Sequence, residues 1–572
     1  MVLLAMVEVA LSDRRLQPQA ACVTASARGR SLCSRGTPRA TLRPQLKRVS
    51  LDASLKKDGT LRYDQAIAAR LEELTQRYYG LMNSDPLAAA DAVRCLAEDP
   101  VLGEFFTQGF RGGVLVDAGI EAGSPDIIAE GVDILERLED DEARRPNLAC
   151  SLANGLSGLA NLDETPAPDW YLSTGPSRFR ARRLYKDAIL SNLDSGLTAR
   201  ACCGLGNALW RSHRWVEAYD CYQAALANDP TNGVASTGAV RVLIRCLERG
   251  VGSRDVLLSA AARNLALARE HSRKLEDLAG PAAVKYLESL SLPQPSAGVE
   301  IDPDKLTDYQ RFVLDRRLVL SPTIEGLDAD ARLWDRLRIR HIIEPIGENG
   351  RVPPMFAMFN TLKSDFLLAR YLAFAAETHA VQESGVYHDT LDYARYGVSV
   401  SLLTGALRVC MDLLDKMAVA VSDYLGIPGR SQKIYFRTRW FQKREPHEVP
   451  AWQPPIDAVI RSGNYAVIAL AEVSSDLGKY GYLKPKSAWR NTATHRFAVL
   501  HDPLMGDFRR STYVDHCMLR DFQRELSEGL QLARSALLYF VEMIAIEEAK
   551  KARQLRTGLL YVPDHHEMRG GS

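Results

Sequence analysis

Residues 199–230 constrain the fold of this chain more than any other stretch. Leu205 and Gly206 stand together, Leu209 follows, and Ala218, Tyr222 and Ala225 recur at helical spacing before Pro230. Small residues let the two helices of a hairpin approach closely. The aromatic fills the groove between them, and the proline ends the second helix. A degenerate copy precedes this unit. It has Leu152, Ala153 and Leu156 on its first helix and Ala181, Tyr185 and Ala188 on its second, around an insertion at 164–177 rich in Pro and Ser. One such hairpin cannot bury its own apolar face, so tandem copies stack into a solenoid.

The pattern is of the tetratricopeptide kind, and segments 126–139 and 254–290 read as further repeats or caps. The concave face of such an array suits a protein or peptide partner. Apolar residues recur at three and four positions from about Leu61 onward, while long alternating β-branched runs are scarce. The fold expected is all-α. Its parts are a disordered extension over residues 1–55, a tetratricopeptide-like helical-hairpin solenoid over 60–292, a linker with connecting helices over 293–352, a helical bundle over 353–557 and a flexible tail over 558–572. In the bundle, long helices are expected at 357–382, 390–426, 456–478 and 515–557, with a shorter one starting near Ser487. The one strand expected is residues 433–441, KIYFRTRWF, where apolar and basic residues alternate.

Composition excludes several classes. The 572 residues are 46% hydrophobic and 25% charged, ordinary for a globular protein, and 72 basic against 71 acidic residues give a net charge of +1. Any nucleic-acid partner is therefore met by a local basic patch. Ten scattered cysteines with no CxxC pair argue against a zinc knuckle or a disulfide framework and for reduced core thiols in a cytoplasmic protein. Residues 12–50 are rich in Arg, Ala, Ser and Thr with Asp13 the only acid. A transit peptide would share this composition, but a disordered extension is the simpler reading. No uncharged apolar stretch is long enough to span a bilayer, and the best candidate, 535–546, contains Glu542. No membrane association is expected. Walker-type, GxGxxG and GxSxG motifs are absent.

The chemistry is concentrated in residues 484–502, KPKSAWRNTATHRFAVLHD. Pro485 and Ser487 suit a helix start, which puts Arg490 and Asn491 in its first turns. Asn491 and His495 are four apart and share a face, and Arg490 flanks that face. A phosphate clamp, a polar orienter and a residue that titrates near neutrality thus gather at one helix start, where free N–H groups favour an anion. Cleavage of RNA by its own 2′-OH needs a base for that proton and a cation for the phosphate, with no metal. Lys484, Lys486 and Arg496 surround the motif without an acid, and Arg437 and Arg439 lie among aromatics in the 433–441 segment. These five are the candidate RNA contacts. His388-Asp389 and His501-Asp502 read as capping or surface pairs. The run DHHE at 564–567 lacks partner ligands. No metal or cofactor is expected.

The order of motifs resembles the HEPN superfamily, in the bacterial branch that joins tetratricopeptide repeats to a HEPN domain. Arg490 and His495 fit its R-x4-6-H pair, with Asn491 the polar residue after the arginine. The resemblance extends to PPMFAMFNTLKSDFLLARYLAF at 353–374, YHDTLDYARYGVSVSLLTGALRVCMDLLDKMAVAVSDYLGI at 387–427, IYFRTRWF at 434–441 and DYQRFVLDRRLVLSP at 308–322. It implies a ribonuclease whose two motifs meet across a homodimer, set in antiphage defence or a toxin system, with the repeats sensing or regulating. Thr494 stands where members of the branch often carry an acid. Asp415-Lys416 reads equally as an ordinary ion-pair site or, under this resemblance, as an acid contacting the motif arginine. A non-catalytic scaffold that binds RNA or nucleotide and protein partners is the alternative.

Overall fold

The computed structural model describes residues 57–139, 145–191, 195–294, 303–321, 334–344, 352–378, 385–442, 450–486, 489, 496–502, 511–554 and 558–562. The N-terminal extension to residue 56 and the run at 564–567 lie outside the described residues. Helices α1 (Lys57–Ser84) and α2 (Pro86–Arg94) lead into α3 (Gly103–Ala122) and α4 (Pro125–Glu139). Then come α5 (Arg145–Leu162), the short α6 (Asp169–Ser173), α7 (Gly175–Ser191), α8 (Ser195–Arg211), α9 (Trp215–Asn228), α10 (Gly233–Glu248), α11 (Arg254–Glu270) and α12 (Ser272–Ser289). The pairs α3/α4, α5/α7, α8/α9 and α10/α11 pack as successive hairpins, each against the next.

The tyrosines of the two sequence copies do the same work. Tyr222 is fully buried, and a Cβ on Gly206 or Gly238 would meet its ring at 2.7 or 2.6 Å. Its hydroxyl donates to Asn207 Oδ1 at 2.8 Å. Tyr185 fills the matching groove beside Gly204 and donates to Asn154 Oδ1 at 2.7 Å. The glycines are therefore required by the ring, and the asparagines complete a repeat that the motif alone did not include.

After α13 (Asp308–Asp315), capped by Thr307 and Gln310, the bundle consists of α14 (Pro354–Glu377), α15 (Val398–Tyr424), α16 (Pro454–Arg461), α17 (Ala466–Asp476) and α18 (Leu519–Gln554). α14, α15 and α17 all pack on α18. α15 starts later than expected, because Leu391 (φ 58°), Tyr393 (φ 58°) and Gly397 (φ 110°) hold the preceding chain out of helix. The helix expected at 456–478 is split at Gly463, whose φ of 91° ends α16. α18 is the one described helix long and apolar enough to cross a membrane, but 72% of its apolar window is buried inside the protein, as in a core helix.

The fold is mainly helical, with five short strands among the described residues. β1 (Ile342–Glu344) pairs antiparallel with β5 (Leu559–Tyr561), so the start of the expected tail is held in a sheet. β2 (Ala394–Arg395) pairs antiparallel with β3 (Phe497–His501), and β3 pairs parallel with β4 (Val514–Met518). The strand expected at 433–441 is absent. Residues 431–433 and 436–438 form 3-10 turns, and the Trp440 indole donates back to the Phe436 carbonyl at 2.7 Å, a contact that a strand, with residues four apart separated by about 13 Å, could not make. The described cysteines are free thiols.

One apolar core runs from the repeats into the bundle. A buried ion network crosses the same boundary. Arg178 holds Glu472 through two bonds of 2.7 and 2.9 Å. Arg182 reaches Glu472 at 2.9 Å and Asp476 at 2.8 Å, and Arg214 also pairs with Asp476. Arg182, Arg214 and Asp476 are completely buried. Burial alone would raise the pKa of Glu472, but Arg178 and Arg182 overcome this and lower it to about 2. The stabilisation from this carboxylate is therefore complete above its ordinary value of 4.5 and is lost as pH falls towards 2. Glu472→Gln leaves two buried guanidinium groups without their shared charge. It is expected to cost about 3–5 kcal/mol in urea unfolding at pH 7, and to flatten the acid limb of stability between pH 4.5 and about 2.

Candidate functional site

The motif segment is anchored on both sides. Phe522, Glu525 and Glu528 lie three apart on α18 and share one face. Lys486 is only 1% exposed, and its ammonium contacts Glu525 at 2.9 Å and Glu528 at 2.8 Å. Burial works against that ammonium, yet Glu528 and Glu525 outweigh it and raise its pKa. Glu528 also receives Lys186 of α7 at 2.6 Å. Burial pushes its pKa up, and the two lysines bring it down to about 2. One turn further on, Trp489 packs edge-on against Phe522, with ring centroids 5.5 Å apart. Arg490, Asn491, Thr494 and His495 lie outside the described residues, as does Ser487. On the far side, Arg496 pairs with Asp515 of β4 at 3.0 Å and donates to the Thr512 carbonyl.

The expected RNA contacts divide into two groups. Arg437 and Lys484 are exposed, and Arg496 is partly so. Lys486 is enclosed by carboxylates and has no face left for a phosphate. Arg439 is similarly committed. It donates to Ser422 Oγ at 2.6 Å, Ile427 O at 2.7 Å and Pro428 O at 3.0 Å, closing the C-terminal end of α15. The aromatics beside it behave as core residues. Trp440 donates to the Phe436 carbonyl at 2.7 Å, and the two rings meet edge to face at 5.3 Å. Tyr435 is the exposed member, at 55%. Asp415 accepts from the Phe436 backbone N–H at 2.8 Å, and Lys416 pairs with Asp365 at 2.8 Å.

Strand β3 of the β2–β3–β4 sheet follows directly from the motif. His501, read from sequence as a surface residue, is completely buried. Its Nδ1 lies 2.9 Å from the Asp392 carbonyl and its Nε2 lies 2.8 Å from His516 Nδ1. Burial and the adjacent His501 lower the pKa of His516. Asp502 instead pairs with Arg395 at 2.8 Å, and Asp389 accepts from the Leu391 N–H at 2.8 Å.

The LA2681-like HEPN family matches residues 346–547, a span that contains α14–α17, most of α18, the β2–β3–β4 sheet and the motif. A tetratricopeptide repeat matches residues 199–232, the α8/α9 hairpin. The C-terminal half carries an LA2681-like HEPN domain. No curated protein and no solved structure matches the chain.

The HEPN domain is thus held to the repeats at Glu472, Asp476 and Glu528. Lys486 was hard to place from sequence because a lysine in a basic run looks solvated. The i, i+3, i+6 face of Phe522, Glu525 and Glu528 was the available signal, but it names no partner. Lys486→Ala leaves two carboxylates facing a vacated buried site. It is expected to lower stability by about 3–5 kcal/mol. Lys484→Ala, at an exposed position, changes stability by less than about 0.5 kcal/mol. Parallel urea unfolding of the two variants checks the contrast.

Proposed function

We propose that the chain is a metal-independent endoribonuclease in which Arg490 clamps the scissile phosphate, His495 moves the proton and Asn491 orients it. The observation that carries the reading is the R-N-x-x-x-H sequence falling inside a matched HEPN domain, since HEPN domains are commonly ribonucleases. In the reaction, a base takes the proton of the 2′-OH, the oxygen attacks the adjacent phosphorus, and the 5′-oxygen leaves with a proton. The product ends are a 2′,3′-cyclic phosphate and a 5′-hydroxyl. A guanidinium offsets charge on the phosphate oxygens, and imidazole serves as acid or base near neutrality. Arg437 and Lys484 supply exposed phosphate contacts, with Arg496 shared between Asp515 and the RNA. A homodimer brings two motifs together in one cleft. The repeats, whose kind commonly binds proteins, sense a trigger or restrain the nuclease in the cytoplasm, in a defence or toxin setting.

Wild type, Arg490→Ala and His495→Ala are to be compared on single-stranded RNA in magnesium-free buffer with EDTA. Wild type is expected to leave cyclic phosphate ends, and each variant to lose roughly 10²–10⁴-fold in rate. Equal cleavage by all three rejects the assigned roles. RNA binding without cleavage by wild type under activating conditions favours the scaffold reading. In binding titrations, Arg437→Ala and Lys484→Ala are each expected to reduce the salt slope by about 1.

A further inference from the structure

Three segments that are distant in sequence bring two imidazoles and a carboxylate to one point in the HEPN domain. Asp392 precedes β2, His501 ends β3 and His516 lies in β4. One donor atom from each lies within 4.8 Å of the other two. We propose that Asp392, His501 and His516 bind a divalent transition-metal ion of the zinc class, which clips β3 to β4 and to the chain entering β2.

His501 and Asp392 are each already oriented by a second contact. The carbonyl of Asp392 accepts from His501 Nδ1–H, which fixes the tautomer with the Nε2 lone pair facing His516. A backbone carbonyl holding the far nitrogen of a histidine is the usual support of a metal-binding imidazole. Asp392 Oδ1 accepts from Thr390 Oγ1 at 2.5 Å and from the Ala394 N–H at 3.2 Å. The other oxygen, Oδ2, lies 3.9 Å from His501 Nδ1. Two nitrogens and one oxygen suit zinc, cobalt or iron and are a poor match for magnesium or calcium, which take oxygen.

Binding replaces the proton between the rings. His516 gives up the Nδ1–H that it donates to His501 Nε2 and carries its proton on Nε2 instead, so neither ring changes charge. Zinc–nitrogen bonds of about 2.0–2.1 Å put two tetrahedral ligands about 3.4 Å apart, so the rings must open from 2.8 Å by about half an ångström. His516, the half-buried member of the pair, is the ring that moves. A fourth position remains for water. Strand rise places His501 about 17 Å along β3 from Arg496. The proposal does not rest on the ribonuclease reading, and its test does not use activity.

Full-length protein is stripped with chelator, dialysed and titrated with Co²⁺, then with Zn²⁺. The expected result is one equivalent of cobalt with visible ligand-field absorption, displaced by zinc, and an unfolding temperature raised by zinc. His516→Ala should weaken binding at least about 100-fold and abolish the thermal shift, and Asp392→Asn should weaken it roughly 10–100-fold. Asp392→Asn retains the shape of the site and decides the question if His516→Ala fails to fold. Absence of cobalt absorption in wild type overturns the proposal and leaves the histidine pair as a hydrogen-bonded tie. Equal affinity in wild type and Asp392→Asn also overturns it, since the ion then binds elsewhere.

Discussion

The sharing of Glu472 and Asp476 among Arg178, Arg182 and Arg214 is the interaction on which the arrangement of this molecule depends. Charges this deep are costly to remove from water, and their attraction recovers the cost only when the geometry is good and the remaining hydrogen bonds are filled. Here each arginine finds a further acceptor, although Arg182 Nε faces Asp476 without hydrogen-bond geometry. Arg178 reaches the Tyr171 carbonyl at 2.8 Å, Arg182 reaches Ser212 Oγ at 3.0 Å, and Arg214 reaches Tyr482 at 2.9 Å. A greasy interface tolerates sliding, whereas this one has a single register. The network therefore sets where the repeats sit on the bundle as well as holding them there.

α18 carries that register along its length. Glu528 meets Lys186, Arg534 meets Asp220 at 3.2 Å, and Glu542 meets Trp215 at 2.8 Å and Arg245 at 2.5 Å. The helix that forms the spine of the HEPN domain is thus also the wall on which the hairpins rest. This accounts for a sequence apolar enough for a membrane in a helix that is mostly enclosed by protein.

Local features of the fold were legible in the sequence. Tyr185 and Tyr222 with their small neighbours announced the hairpins, and the repeat match covers the second of them. The bundle helices followed from periodicity and turn residues. Long-range features were not legible. Nothing near Arg182 indicates that its partner lies 294 residues away. Lys486 and Arg439 sit in basic runs, and only packing shows that one is enclosed by acids and the other closes a helix end. Alternation in 433–441 suggested a strand, but the Trp440 indole bonds back to the Phe436 carbonyl, which needs a turn. β3 and β4 are five residues each, too short for a periodic signal against a helical background. His501 beside Asp502 drew attention to the wrong partner, since its neighbours come from β4 and from the chain before β2.

Glu528 has a consequence beyond stability. A single carboxylate holds Lys186 of the repeats and Lys486 at the head of the motif segment. The two contacts draw on the same negative charge, so neither ammonium is indifferent to the other. By thermodynamic reciprocity, an event in the solenoid that draws Lys186 away changes the hold on Lys486, and strain applied at the motif is felt equally at the hairpin. One side chain thus couples the hairpin repeats to the segment that carries the motif, in both directions.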